Sequence, residues 1–232
     1  MTAPAILYPL GDGIGSVAHV DHMGDDKRAV DAARVSLAGD GEPWREQSDP
    51  RLLRYLLAHG HWSPFQHCTA TLALKVPLFL RSQIMRHASF AFNEVSARYT
   101  EVADEMYAPV QFRAQAQDNR QASVDGSDLP QLAAARLWAE GQRAAFEAYQ
   151  GLLDLGVARE QARGVLPQAA YTRFYMTGSL RSWLHFLQAR DHPGAQWEAQ
   201  QVARAIAELL EPLFPVTFRE WRTLEASRHA DH

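Results

Sequence analysis

The chain is poor in cysteine, in lysine and in long apolar runs, and each shortage excludes something. Cys68 is the only cysteine among 232 residues, so no intrachain disulfide framework exists and a reducing compartment is expected. No stretch approaches the roughly 20 apolar residues of a membrane-spanning helix. Residues 1–15 lack the basic-then-apolar pattern of a secretory leader. A soluble cytoplasmic protein with no membrane partner is the expectation. Lys27 and Lys75 are the only lysines among 23 basic residues, and the net charge is -4. General nucleic-acid binders are basic, so a nucleic-acid polymer is not the expected partner. Neither a Gly-x-Gly-x-x-Gly fingerprint nor a P-loop is present.

The 47% hydrophobic content supplies one sizeable core. Residues 16–22 alternate as a short strand. Asp25 or Asp26 caps a helix to about Leu37, and residues 39–47 are turn-like. Asp49-Pro50 opens a helix that Gly60 stops. Residues 66–76 alternate as a strand, ended by Pro77, before a helix over 78–87 that puts Phe79, Gln83 and Arg86 on one face. A strand is expected over 105–112 and a mobile polar excursion over 113–128. A long helix follows over 129–155, with Leu137, Trp138, Phe146, Tyr149 and Leu152 in its buried stripe. A short helix over 158–165, a strand over 171–177 and helices over 179–190 and 195–210 complete the pattern. The last is broken by Pro212 and Pro215, with a disordered tail over 223–232. The expectation is an α+β fold: one domain over 1–232, with a small, mostly antiparallel sheet flanked by helical layers.

The stretch from Arg86 to Tyr99 fits neither a loop nor a core element. It carries two Arg, one His, one Glu, one Asn and two Ser, with no Gly or Pro. So much polarity makes sense around an anionic ligand, since arginine forks suit phosphate and uracil-like edges; a salt-bridged surface turn is the plainer reading.

This segment resembles the signature of the flavin-dependent thymidylate synthases: Arg-His-Arg, seven residues, then Ser. Arg86, His87, Asn93, Glu94, Ser96, Arg98 and Tyr99 fall in register. Ala88 stands where the family usually has its third basic residue, one that helps hold the flavin, and Ala91 where it often has Ser. The likeness extends over about 16–222, through Asp25–Arg28, Ala32–Ser36, His59–Phe65, Leu166-Pro167 and Ala195-Gln196-Trp197-Glu198.

The resemblance implies methylation of dUMP to dTMP. The carbon would come from 5,10-methylenetetrahydrofolate and the reducing equivalents from NADPH through FAD, in a homotetramer with sites between subunits. It places Ser36, His61, Ser63, Arg86, His87, Ala88, Glu94, Ser179 and His185 at the flavin. Gln83, Ile84, Met85 and Arg86 of one subunit would meet Glu94, Val95, Ser96, Ala97 and Arg98 of another around the nucleotide, with Arg163 and Arg190. The catalytic candidates are Arg190 and Ser96. Arg190 would stabilise charge developing on the uracil. Ser96 has no evident activating base, so its hydroxyl suits phosphate binding better than attack.

Two other readings remain open. His59, His61 and His67, with His87, could hold a metal for a nucleotide hydrolase, although the spacing is a weak zinc pattern; no metal is expected. A non-enzymatic nucleotide-binding module would use the same arginines as phosphate contacts.

Overall fold

The computed structural model describes residues 6–37, 40–117 and 123–230. Five strands form the main sheet: β1 (Ile6–Leu7), β2 (Ser16–Met23), β3 (Thr69–Pro77), β4 (Ala91–Glu94) and, late in the chain, a strand over Tyr171–Ser179. Before that last strand come β5 (Ala114–Gln115) and β6 (Ser123–Val124), a separate two-stranded ribbon, so the last is β7. The order is β1-β2-β3-β7-β4 and every pairing is antiparallel. The helices are α1 (Asp26–Arg34), α2 (Asp49–Ala58), α3 (Leu78–Ile84), α4 (Gln131–Asp154), α5 (Arg159–Ala162), α6 (Leu180–Arg190), α7 (Trp197–Leu210) and α8 (Pro215–Ala230). The α+β expectation holds.

Alternation explains the core. Ala70, Leu72, Leu74 and Val76 of β3 are buried, and β7 sets Gly178, Met176, Phe174 and Thr172 beside them. The helices α6 and α7 cover this face with Trp183, Leu187, Val202 and Ile206. Gly178 lies beneath Phe90; a Cβ there would come within 2.4 Å of that ring. The close approach lets Phe90 pack edge-on to Trp183 at 4.7 Å. Phe90 thereby pins the middle of the polar signature to the core. The opposite sheet face carries Thr71, Lys75, Arg173, Tyr175 and Thr177 and is only partly covered.

Several expectations are corrected. The signature contains an edge strand, β4, joined to β7. Residues 105–112 form no strand: Met106 makes one bridge to Ala170, and the chain then peels away at Pro109, which has no N–H to give. The polar excursion carries the ribbon β5–β6 at its two sides; residues 118–122 of it, like Gly39 of the earlier turn, lie outside the described residues. Residues 223–230 are not an irregular tail but the end of α8, and Pro215 opens that helix, where a missing N–H costs nothing. Its next two N–H groups donate to the buried Asp26 carboxylate, Val216 at 2.7 Å and Thr217 at 2.9 Å. Asp25, by contrast, caps α1 as expected, accepting from Arg28 N. Asp49 is helical rather than a cap; it is fully buried and paired with Arg34. On α4 only Tyr149 is buried; Trp138 packs against the core and α5 touches the helix, but Leu137 turns outward, 71% exposed.

Candidate active site

The end of α6 meets the end of α3. Arg190, the last residue of α6, reaches across rather than serving its own helix terminus. Its Nε donates to His87 Nε2 at 3.0 Å and an amino group donates to the Gln83 carbonyl oxygen at 3.0 Å, one of the orphan acceptors ending α3. Burial and the nearby Arg86 charge pull the Arg190 pKa below the ordinary guanidinium value. Among the described residues neither arginine has a carboxylate within ion-pair distance. Arg86 is exposed and Arg190 half-buried, so two adjacent cations stand where an anion or a polar ring can reach both. His87 packs edge-on to Phe186 at 4.9 Å, and burial, then the Arg190 charge, lower its pKa. It is therefore a neutral acceptor at pH 7. Ile84 is buried and Met85 half-buried beneath this cluster.

The other half of the signature faces a different cavity of about 740 Å³, lined by Arg81, Glu94, Ser96, Glu101, Arg163 and Arg173 among others. Glu94 accepts from Arg81 Nε at 3.0 Å and from Thr172 Oγ1 at 2.7 Å. Val95 N donates to Arg173 O at 2.9 Å, which carries the β4 pairing one residue on. Ser96 then turns the chain: its carbonyl accepts from Tyr99 N and Thr100 N, and its Oγ from Arg98 N at 3.3 Å. Among the described residues no histidine bonds to Ser96 Oγ, and His87 Nε2 is engaged by Arg190. Arg98 leans on Glu160 at 3.4 Å, and Ala97 lines the wall. Tyr149, the one buried residue of α4, accepts from Val102 N at 3.1 Å and so fixes the cavity rim.

A third group flanks α6. Gly60 takes the positive φ of +68° that ends α2, releasing the exposed His61 and Ser63. Between them Trp62 packs edge-on to His185 at 4.5 Å. Burial, then the Arg181 charge, lower the His185 pKa. Ser179 caps α6 by accepting from Ser182 N at 3.2 Å, and Ser182 Oγ donates to Ser89 O at 3.3 Å, tying the signature turn to the helix. Ser36 is exposed in the 3-10 turn Val35–Leu37 after α1, and Ala88 is exposed beside His87. His59 stacks on Tyr55, 4.1 Å between ring centroids. Among the described residues no three His, Cys, Asp or Glu side chains are grouped to hold a metal.

One chain thus gathers Gln83, Arg86, His87 and Arg190, and separately gathers Glu94, Ser96, Ala97 and Arg163. It does not bring the two sets around one cavity. The sequence reading missed Arg81 and Arg181; the helix it draws over 78–87 puts Gln83 and Arg86 on one face, whereas α3 ends at Ile84 and Arg86 lies in the turn beyond it.

A sequence model described as thymidylate synthase complementing protein matches residues 19–216. The chain belongs to this family. It is 44% identical over 204 residues to a flavin-dependent thymidylate synthase of Thermus thermophilus, covering 88% of this chain and 74% of that one. A flavin-dependent thymidylate synthase of Kosmotoga olearia is 44% identical over 206 residues, with 88% of each chain covered. Among solved structures, the UMP/dUMP methylase PolB from Streptomyces cacaoi bound with 5-Br dUMP superposes with a TM-score of 0.82 at 35% identity, covering 89% of this chain and 94% of that one. A second structure of it holds 5-Br UMP, at a TM-score of 0.81. Membership in the family accounts for a signature that is neither loop nor core.

Proposed function

We propose that this family member catalyses the reductive methylation of dUMP to dTMP, with 5,10-methylenetetrahydrofolate as carbon donor and NADPH as reductant through FAD. The observation that carries the reading is Arg190, held in place by His87, with the Arg86 charge beside it and no carboxylate partner for either among the described residues. A pyrimidine nucleotide supplies what the pair lacks: carbonyl oxygens for directed forks and a phosphate for charge.

The donor set also fits a flavin. His61, Trp62 and His185 offer flat faces and edges, Ser63 and Ser179 hydroxyls, and Arg86 and Arg181 cations for a pyrophosphate; Ser36, His87 and Glu94 complete the group. Arg181 supplies a charge beside His185, while Ala88 brings none. When bound, FAD supplies the hydride chemistry, which no side chain here can perform. The chain's own part is positioning and electrostatics. Arg190 stabilises negative charge on the uracil as hydride reaches C6. Ser96, Ala97, Arg98 and Arg163 offer donors to phosphate, and Glu94 accepts from a ribose hydroxyl or aligns an arginine.

The two half-sites of one chain become a whole site when a second copy sets its Glu94–Arg98 turn against Gln83–Arg86. The family resemblance makes that assembly a homotetramer with sites between subunits. The exposed Leu132 and Leu137 of α4, Leu155 just after it, and the half-exposed Tyr175 on the open sheet face support that assembly. The absorption spectrum of the purified protein tests the reading. Bound oxidised flavin, perturbed by dUMP, is expected. A protein that stays colourless with added FAD contradicts it. Repeating the titration with UMP shows whether the sugar is discriminated.

A further inference from the structure

Gln83 does not stand alone. Its Nε2 donates to Gln196 Oε1, and Gln196 Nε2 donates to Glu198 Oε2 at 2.8 Å. Glu198 is 2% exposed, and its other oxygen accepts from Arg113 at 2.6 Å and from the Tyr107 hydroxyl at 2.8 Å. Arg113 lies over the Trp197 ring at 5.0 Å. Burial alone would raise the Glu198 pKa, but the Arg113 hydrogen bond and charge hold it below the ordinary value, so the carboxylate is ionised.

An ionised carboxylate has no hydrogen to give. Gln196 must therefore turn its amino group to Glu198 and its oxygen to Gln83. Gln83 must in turn give its nitrogen to Gln196, which leaves its Oε1 outside that chain of bonds, at the edge of a second cavity of about 440 Å³ that Gln83 lines with Phe79, Arg113 and Trp138. The neighbours Arg86 and Arg190 donate only, and His87 Nε2 already accepts.

We infer that Glu198 and Gln196 are positioning residues that fix the amide polarity of Gln83, so that Gln83 reads a hydrogen-bond donor on the bound nucleotide. The inference rests on the proposed occupancy of the site by a uridylate. The carbonyls and phosphate of that ligand are acceptors, which the arginines satisfy. Its donors are the ring N3–H and the sugar 3′-hydroxyl, and each needs an acceptor such as Gln83 Oε1. With N3–H as the donor read, a ligand whose N3 bears a lone pair, as in cytidylates, sets an acceptor against an acceptor and is disfavoured.

Calorimetric titration of the FAD-loaded protein with dUMP, N3-methyl-dUMP and 2′,3′-dideoxyuridine monophosphate tests this. In the wild type, one donor-less analogue binds about tenfold or more weakly than dUMP, and its identity tells which donor is read. In Gln196→Met the Gln83 amide is free to rotate, and that ratio shrinks to roughly threefold or less. Glu198→Gln, whose amide can meet Gln196 either way round, shows the same shrinkage. A merely structural loss weakens dUMP and its analogues together; an unchanged ratio in either folded variant overturns the inference. Equal binding of all three ligands by the wild type overturns the inference while leaving the function intact. Failure of the wild type to bind dUMP overturns both.

Discussion

Arg190 is useful only while His87 is neutral, because its Nε needs the His87 lone pair at 3.0 Å. Protonation would remove that acceptor and add a third positive charge beside Arg86 and Arg190. Burial and the Arg190 charge hold His87 below its ordinary value of 6.5, so the sign is fixed. The arrangement is intact above about pH 6.5 and is lost as pH falls through the lower, folded value. Affinity for dUMP is expected to carry an acid limb from this group, beyond the one due to the nucleotide's own phosphate. His87→Gln keeps a carbonyl acceptor that does not titrate. It should bind dUMP within about tenfold of wild type and lack the His87 part of the limb. A pH profile of the dissociation constant that is the same in both proteins contradicts the assignment.

At the scale of elements, two contacts position the site. Gly178 on β7 leaves room for Phe90, which anchors the signature turn against α6. Gly178→Ala forces the ring or the strand to move and is expected to cost about 1–3 kcal/mol. Flavin retention should fall as well, since the turn at His87 moves with Phe90. Retained flavin and unchanged urea midpoint together contradict this. Asp26 joins the first helix to the last, accepting from Val216 N, Thr217 N and Thr217 Oγ1 at the start of α8. Asp26→Ala leaves those donors buried beside an empty site and is expected to cost about 2–4 kcal/mol in urea unfolding at fixed protein concentration. A change below about 0.5 kcal/mol would show that water or another group serves them.

The same elements show what a sequence discloses. Strands β3 and β7 were legible because alternation is a local signal, and α6 because Ser179 caps it and Leu184 and Leu187 sit at helical spacing. Strand β4 was not, because its inward side carries Phe92 and then the charged Glu94, so the apolar alternation stops within four residues; its register comes from β7, 80 residues later in the pairing of Glu94 with Phe174. Helix α8 was missed because Pro215 was taken as a stop, whereas Asp26 supplies the cap from the far end of the chain. At the site, the residue types of the signature were legible through the family resemblance. The Gln83–Gln196–Glu198 chain was not, since three segments distant in sequence meet there.

For the whole molecule, the decisive feature is incompleteness. A 24-residue helix that buries one side chain, an open sheet face and two half-sites with complementary residues all ask for further copies. Light scattering at micromolar concentration is expected to give about four times the 26.0 kDa chain mass. A clean monomer that nevertheless turned over would show that one chain completes the site by itself. Among the described residues no helix is long and apolar enough to cross a membrane.

The central claim is that the paired guanidinium groups of Arg86 and Arg190 hold a pyrimidine nucleotide for reduction and methylation. It is tested most directly by following NADPH oxidation and dTMP formation together, with FAD and methylenetetrahydrofolate supplied, in the wild type and in Arg190→Ala. The account predicts oxidation and dTMP that both depend on dUMP in the wild type, and turnover at least about 100-fold lower in the variant. Unchanged turnover in Arg190→Ala, or no dTMP from the wild type, would contradict it.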